Sequence, residues 1–218
     1  MSSNYSIGVF GGTFDPIHYG HLRASHEILH ALKLNEIRFI PCGNPCHRDH
    51  VFTDAELRLQ MVKMAIKDQK NFLIDDREVR QKELSYSIDT LISLREAYRN
   101  SSLCLIIGLD VFLNLHKWHR WMEILDFAHI IIAHRPGWSI PSSGILADLI
   151  KSKGTNDIKE LHVTTHGSIY IQAITQMEIS STEIRNSIAK GLDLNFLVPK
   201  SVIDIIKEFN LYTSESNE

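Results

Sequence analysis

Short apolar runs alternate with amphipathic stretches along the 218 residues. Residues 6–10, Ser-Ile-Gly-Val-Phe, run into Gly11-Gly12, which predicts a buried strand and a tight turn. Residues 19–32 carry Leu22, Ile28, Leu29 and Leu32 at helical spacing. Residues 36–41 predict a second strand. Residues 54–66 predict a second helix, capped by Thr53 or Asp54, with Leu57, Met61, Met64 and Ala65 facing inward. A third strand is expected at 72–74, and a third helix at 87–98, where Ile88, Leu91, Ile92 and Arg95 share a face. Residues 103–107, Leu-Cys-Leu-Ile-Ile, are apolar throughout, as in a strand covered on both faces. Another strand is expected at 129–133, then loops around one short helix at 145–151, then closing helices at 181–190 and 200–209. Strands separated by helices pair in parallel through right-handed crossovers. The expected fold class is therefore α/β, an open, mainly parallel sheet with helices on both faces. One domain is expected over 1–212, followed by a frayed polar tail over 213–218.

Charge and composition narrow the partners. With 23 Lys and Arg against 26 Asp and Glu, the net charge of -3 offers no basic stripe for a nucleic acid polymer. A small polyanion needs only a few local cations and backbone amides. No apolar run approaches the 18 or so residues of a membrane span, and residues 1–6 lack the pattern of a signal peptide. Cys42, Cys46 and Cys104 are too few and too odd in number for a disulfide framework. A reducing, cytoplasmic setting is expected; homo-oligomerisation is left open.

The first turn carries the chemistry. It reads Gly11-Gly12-Thr13-Phe14-Asp15-Pro16-Ile17-His18-Tyr19-Gly20-His21-Leu22, after the first strand and into the first helix. In open α/β sheets, ligands sit beyond the carboxyl ends of the strands. Paired glycines let backbone approach a phosphate, and a helix start favours anions. Thr13 adds a hydroxyl, and His18 and His21 fall on one face of the first helical turn. The segment has neither the Gly-Lys-Ser/Thr ending of a P-loop nor Gly-x-Gly-x-x-Gly. Two imidazoles here suit charge stabilisation on a transferring phosphoryl group. Alone, a His-x-x-His pair among twelve histidines is an ordinary surface pattern; its place after strand-Gly-Gly-Thr makes it a candidate site.

Gly12-Thr13-Phe14-Asp15-Pro16 with His18-Tyr19-Gly20-His21 resembles the signature of the nucleotidylyltransferase superfamily, and within it the bacterial nicotinate-nucleotide adenylyltransferases. The resemblance runs over about residues 7–212 and rests on several separated motifs. It implies a Rossmann-like fold, catalysis by His18, His21 and Arg185, and an ATP site that includes Gly11, Gly12, Thr13 and Phe14. Ile179-Ser180-Ser181-Thr182-Glu183-Ile184-Arg185 reads physically as a capped helix start with a cation one turn inside. By itself that is equally a plain capping signal with a solvated arginine. The resemblance implies that Ser180, Thr182 and Arg185 hold ATP phosphates.

Other motifs follow the same likeness. Pro45-Cys46-His47-Arg48 resembles the family's Pro-Pro-His-Lys/Arg, with Cys46 in place of the second proline; His47 and Arg48 are implied to meet phosphate. Arg58 matches a family arginine and reads as a phosphate or loop anchor, or as an exposed helical charge. Ser85-Tyr86-Ser87 resembles Ser-Tyr-Thr, which implies that Ser87 meets the nicotinate carboxylate. Trp118 is implied to stack on the pyridine ring, with His119 where the family more usually has tyrosine; Trp121 is expected in the core. Gly108 and Asp110 are implied near a nucleotide ribose, and Arg135 on the adenine side. Cys42, Cys46, His47 and His50 could be read as a zinc set, but their spacing is unusual, and no resident metal is expected.

The implied reaction is direct attack of the nicotinate mononucleotide phosphate on the α-phosphorus of ATP, with Mg2+ bound to ATP, giving deamido-NAD and pyrophosphate. The alternatives are nicotinamide mononucleotide or another phosphorylated acceptor, or an ATP-binding module without catalysis.

Overall fold

The structure is a computed structural model that describes residues 4–45, 51–81, 83–134, 137, 139–175 and 177–213. The strands are β1 (Ser6–Gly12), β2 (Glu36–Pro41), β3 (Phe72–Ile74), β4 (Ser102–Gly108), β5 (His129–His134), β6 (Gly154–Thr155) and β7 (Ile169–Ala173). The helices are α1 (Tyr19–Ala31), α2 (Ala55–Ile66), α3 (Arg77–Arg80), α4 (Ser87–Ala97), α5 (Leu109–Phe112), α6 (Ile124–Phe127), α7 (Ile145–Lys153), α8 (Glu160–Val163), α9 (Ser181–Ala189) and α10 (Lys200–Glu208). The strands form one parallel sheet in the order β3-β2-β1-β4-β5-β7-β6. Its order reverses between β1 and β4, the switch point of a doubly wound Rossmann-like sheet.

The chain divides into two compact units. The first comprises Met1–Gly11, Ser25–Arg38 and Tyr86–Gln176. Its core is the strand run Leu103 to Ile107, buried at every position and in register with Ile130, Ile131 and Ile132 of β5. The second comprises Gly12–Ala24, Phe39–Ser85 and Met177–Glu218. In it α10 packs on α2 through a face of Val202, Ile203, Ile205 and Ile206.

Two expectations were wrong in instructive ways. The inward face of α2 is Arg58, Met61, Val62 and Ile66, while Leu57, Met64 and Ala65 are only half-buried. The helix is turned so that an arginine points inward. Second, β7 fell in a stretch where no strand was expected; its burial is complete only at Ile169. A five-residue strand of mixed exposure carries little periodic signal. Of the expected tail, 214–218 lies outside the described residues.

Candidate active site

The glycine turn is shaped by crowding. Thr13, Phe14, Asp15 and His18 are all buried. Phe14 sits at φ 49°, in the left-handed region that non-glycine residues seldom occupy. A Cβ at Gly12 would lie 3.1 Å from the Phe14 ring, so glycine there makes room for it. The Phe14 ring stands edge-on to His21 at 5.1 Å and tilted against Phe39 at 6.0 Å.

His18 and His21 are brought together. Their rings stack with centroids 3.6 Å apart and 24° between planes. Gly20 permits this, because a Cβ there would come within 2.9 Å of His18 Nδ1. The His21 amide donates to the His18 carbonyl at 3.0 Å and, at a long 3.4 Å, to His18 Nδ1. A ring nitrogen that accepts carries no hydrogen, so the inferred tautomer of His18 holds its proton on Nε2.

The second helix start lies in the same unit. Ser180 caps α9: its hydroxyl accepts from the Glu183 amide at 3.2 Å and donates to the Glu183 carboxylate at 2.9 Å. Its hydroxyl is thereby committed to α9. Ser181 donates to the Pro16 carbonyl at 2.9 Å. Arg185 is half-buried rather than solvated. Its Nη1 donates to the Asp15 carbonyl at 2.6 Å, its Nη2 donates to Thr182 Oγ1 at 3.2 Å, and its guanidinium lies 4.4 Å over the Phe52 ring. The structure thus joins Arg185 to the glycine turn.

Arg58 resolves as a loop anchor. It is 1% exposed, and its fork donates to Thr13 O at 2.7 Å, Thr53 O at 3.0 Å and Gly43 O at 3.1 Å. Burial lowers its pKa, and the nearby charge of Asp15 opposes that shift. One buried fork therefore ties the glycine turn to the loop after β2. That loop is also pinned where the Ser85 amide donates to Asn44 O at 2.9 Å. His47 and Arg48, farther along it, lie outside the described residues, as does Arg135. Cys46, His47 and His50 of the zinc reading also lie outside. Burial pushes the Cys42 thiol up to about 12, which keeps it protonated.

The candidates for the nicotinate ring, Ser87, Trp118 and His119, and those for the ATP ribose, Gly108 and Asp110, belong to the first unit. Ser87 opens α4 and is half-buried. Gly108 caps α5, and a Cβ on it would collide with the Asp110 carboxylate, which folds back over the glycine. Trp118 is half-buried after a 3-10 turn at Leu115–Lys117. His119 is exposed, its ring 4.6 Å from that of Tyr86, the neighbour of Ser87. Trp121, expected in the core, is half-buried and walls an apolar hollow of about 500 Å³ with Met122, Leu125, Ile130, Ile145 and Leu149. The residues that reading missed are Phe52 and the side chain of Asp15. Asp15 was visible within the motif, but nothing in the sequence marks which partners a lone carboxylate will take.

Comparison with known proteins now decides the family. Residues 9–187 match the model of the cytidylyltransferase-like family. A protein of Aeromonas hydrophila named "Probable nicotinate-nucleotide adenylyltransferase" is 40% identical over 94% of this chain and 96% of its own. One of the same name from Psychromonas ingrahamii is 42% identical over 95% and 97%. The chain belongs to the nicotinate-nucleotide adenylyltransferase family. Its fold is also that of the Plasmodium falciparum nicotinic acid mononucleotide adenylyltransferase complexed with NaAD. That structure has a TM-score of 0.73 at 23% identity, with 95% of this chain and 97% of the other covered. Among the described residues no helix is long and apolar enough to cross a membrane.

Proposed function

We propose that this adenylyltransferase joins ATP to nicotinate mononucleotide, giving deamido-NAD and pyrophosphate in NAD biosynthesis. The observation that carries the reading is the stacked His18–His21 pair, 3.6 Å apart, behind a glycine turn whose Asp15 carbonyl also holds Arg185.

An oxygen of the mononucleotide phosphate attacks the α-phosphorus of ATP. The bond from that phosphorus to the bridging oxygen breaks, and pyrophosphate leaves with the electron pair. No protein nucleophile takes part. His18 donates from Nε2 to the α-phosphate, with His21 beside it, stabilising charge that builds in the transition state. Gly11, Gly12, Thr13 and Phe14 shape the turn that receives the phosphates. Arg185 neutralises charge on the departing pyrophosphate, Thr182 donates a hydrogen bond to it, and Ser180 serves by holding the α9 start in place. Asp110 with Gly108 takes the ribose, and Arg135 the adenine side. His47 and Arg48 meet the acceptor phosphate, Ser87 the nicotinate carboxylate, and Trp118 with His119 the pyridine ring.

Magnesium enters with the substrate, as MgATP. The described phosphate-side groups are imidazoles, hydroxyls and a guanidinium, which complement phosphate oxygens. Bound to the phosphates, the ion would supply further neutralisation of their charge. The setting is the reducing cytoplasm, where the thiols of Cys42 and Cys104 stay free.

The test is pyrophosphate release from ATP with nicotinate mononucleotide or nicotinamide mononucleotide as acceptor. The acid form is expected to be preferred by at least about tenfold, the worth of one satisfied polar contact. Equal rates would remove the acid-acceptor assignment, and no release with either would remove the enzymatic one.

A further inference from the structure

The last turn of the described chain reaches into the candidate site. Tyr212 follows α10, is 3% exposed, and sits at φ 63°. An aromatic residue in the left-handed region is a backbone outlier that persists only when its surroundings hold it there. What holds it is visible. The Tyr212 hydroxyl donates to Asp15 Oδ1 at 2.7 Å. The other carboxylate oxygen, Oδ2, accepts from the Phe52 amide at 3.0 Å. Asp15 is itself 1% exposed, and its bond from Tyr212 is shielded from water. Burial, reinforced by Asp15, raises the Tyr212 pKa and keeps its hydroxyl a donor.

Two of the contacts that hold Arg185 depend on this carboxylate; a third, from its Nη2 to Thr182 Oγ1, does not. Its Nη1 binds the main-chain carbonyl of Asp15, and its guanidinium rests on the ring of Phe52, whose amide Asp15 holds. Phe14, next to Asp15, is also in the left-handed region, so the turn and the C-terminal segment are strained on either side of one carboxylate.

We propose that Tyr212 is a positioning residue for adenylyl transfer: through Asp15 it fixes the carbonyl and the aromatic ring that orient Arg185 toward the ATP phosphates. The claim rests on Arg185 acting on those phosphates, as proposed above. Tyr212 touches no substrate; it acts through the turn.

The test uses the full chain and steady-state pyrophosphate release, with ATP and nicotinate mononucleotide varied in turn, below the melting temperature of every variant. Tyr212→Phe keeps the ring and removes only the hydroxyl. Its kcat/KM for ATP is expected to fall about tenfold, with the KM for nicotinate mononucleotide within about twofold of wild type. In an Arg185→Lys background the same substitution should cost less than about twofold, because its effect runs through Arg185. Unchanged kcat/KM for ATP in Tyr212→Phe would overturn the proposal, whatever its melting temperature. So would a full, multiplicative loss in the Arg185→Lys background. If Tyr212→Phe does not fold, Asp15→Asn weakens the same bond from its other end and must give the same selective loss. A wild-type chain without pyrophosphate release, or an Arg185→Lys variant as active as wild type, would remove the underlying reading as well. Those two outcomes are read before Tyr212 is touched.

Discussion

The phosphate-side and acceptor-side candidates are built in opposite ways. In the unit that holds the glycine turn, Thr13, Asp15, His18 and Arg58 are buried, and the Arg58 and Asp15 side chains tie that turn to neighbouring loops. In the other unit Ser87 and Trp118 are half-buried, and His119 is exposed. The difference matches what each must do. Donors that stabilise a transition state act only if they are already in place when charge develops. Recognition of an acceptor ring tolerates side chains that settle on the ligand.

The two units also hold a matched pair of arginines. Arg58 gives its fork to carbonyls of the glycine turn and neighbouring loops. Arg95 gives its own to the carbonyls of Phe127, Ser101 and Thr165. Burial lowers the pKa of both. The same device anchors the glycine turn in one place and the loops around Phe127 and Thr165 in the other. The histidines divide in the same way: His18 and His21 stand at the glycine turn, and His129 in the scaffold. His129 is fully buried on β5, where its Nδ1 accepts from the Ser168 amide at 3.1 Å and its Nε2 lies 3.3 Å from Thr164 O.

The sharpest way to break this contrast is at His18. His18→Ala should lower turnover by roughly 10²–10⁴-fold with little change in melting temperature. A folded variant of near-normal turnover in the pyrophosphate assay would end the assignment. Next come the arginines. Arg58→Met strands three carbonyls, those of Thr13 and Thr53 in buried bonds, and should cost about 3 kcal/mol in urea denaturation, with turnover down at least about tenfold. Arg95→Met should cost a similar amount of stability and leave kcat within about twofold. An equal loss of turnover in both would erase the distinction between the two clamps.

A smaller effect is expected at His129. Burial lowers its pKa to about 4, against an unfolded value of about 6.5. Between these values the unfolded chain binds a proton that the folded one refuses, so this contribution is complete above about pH 6.5 and lost as pH falls. Stability should drop by about 2 kcal/mol between about pH 7.5 and pH 5, and His129→Gln should remove that part of the slope. The smallest effect is at Ser87. Ser87→Ala should raise the KM for nicotinate mononucleotide about fivefold at constant kcat, one hydrogen bond's worth. A fall in kcat instead would place Ser87 with the rigid, phosphate-side group.

Much of this was legible beforehand. The apolar run through β4, the helix α1, and the spacing of His18 and His21 behind Gly11-Gly12 are local patterns, and local patterns survive folding. A cap at Ser180 or Ser181 was legible for the same reason, and the structure gives it to Ser180. Arg58 was legible only as one of two alternatives, an anchor or an exposed charge: it stands in a helix whose apolar spacing pointed elsewhere, and the three carbonyls around it decide for the loop anchor. β7 escaped because a short, half-exposed strand is defined by its neighbour β5.

The chain by itself determined the alternation of strands and helices, the glycine turn, and two imidazoles three residues apart, because each depends on residues close in sequence. The tertiary structure alone decided that Arg58 would be buried, that Arg185 would rest on Phe52 and bind Asp15, and that Tyr212, 197 positions from Asp15, would hold its carboxylate. Those are hydrogen bonds between groups that meet only when the chain has closed. A buried donor takes whichever acceptor the packing brings to it.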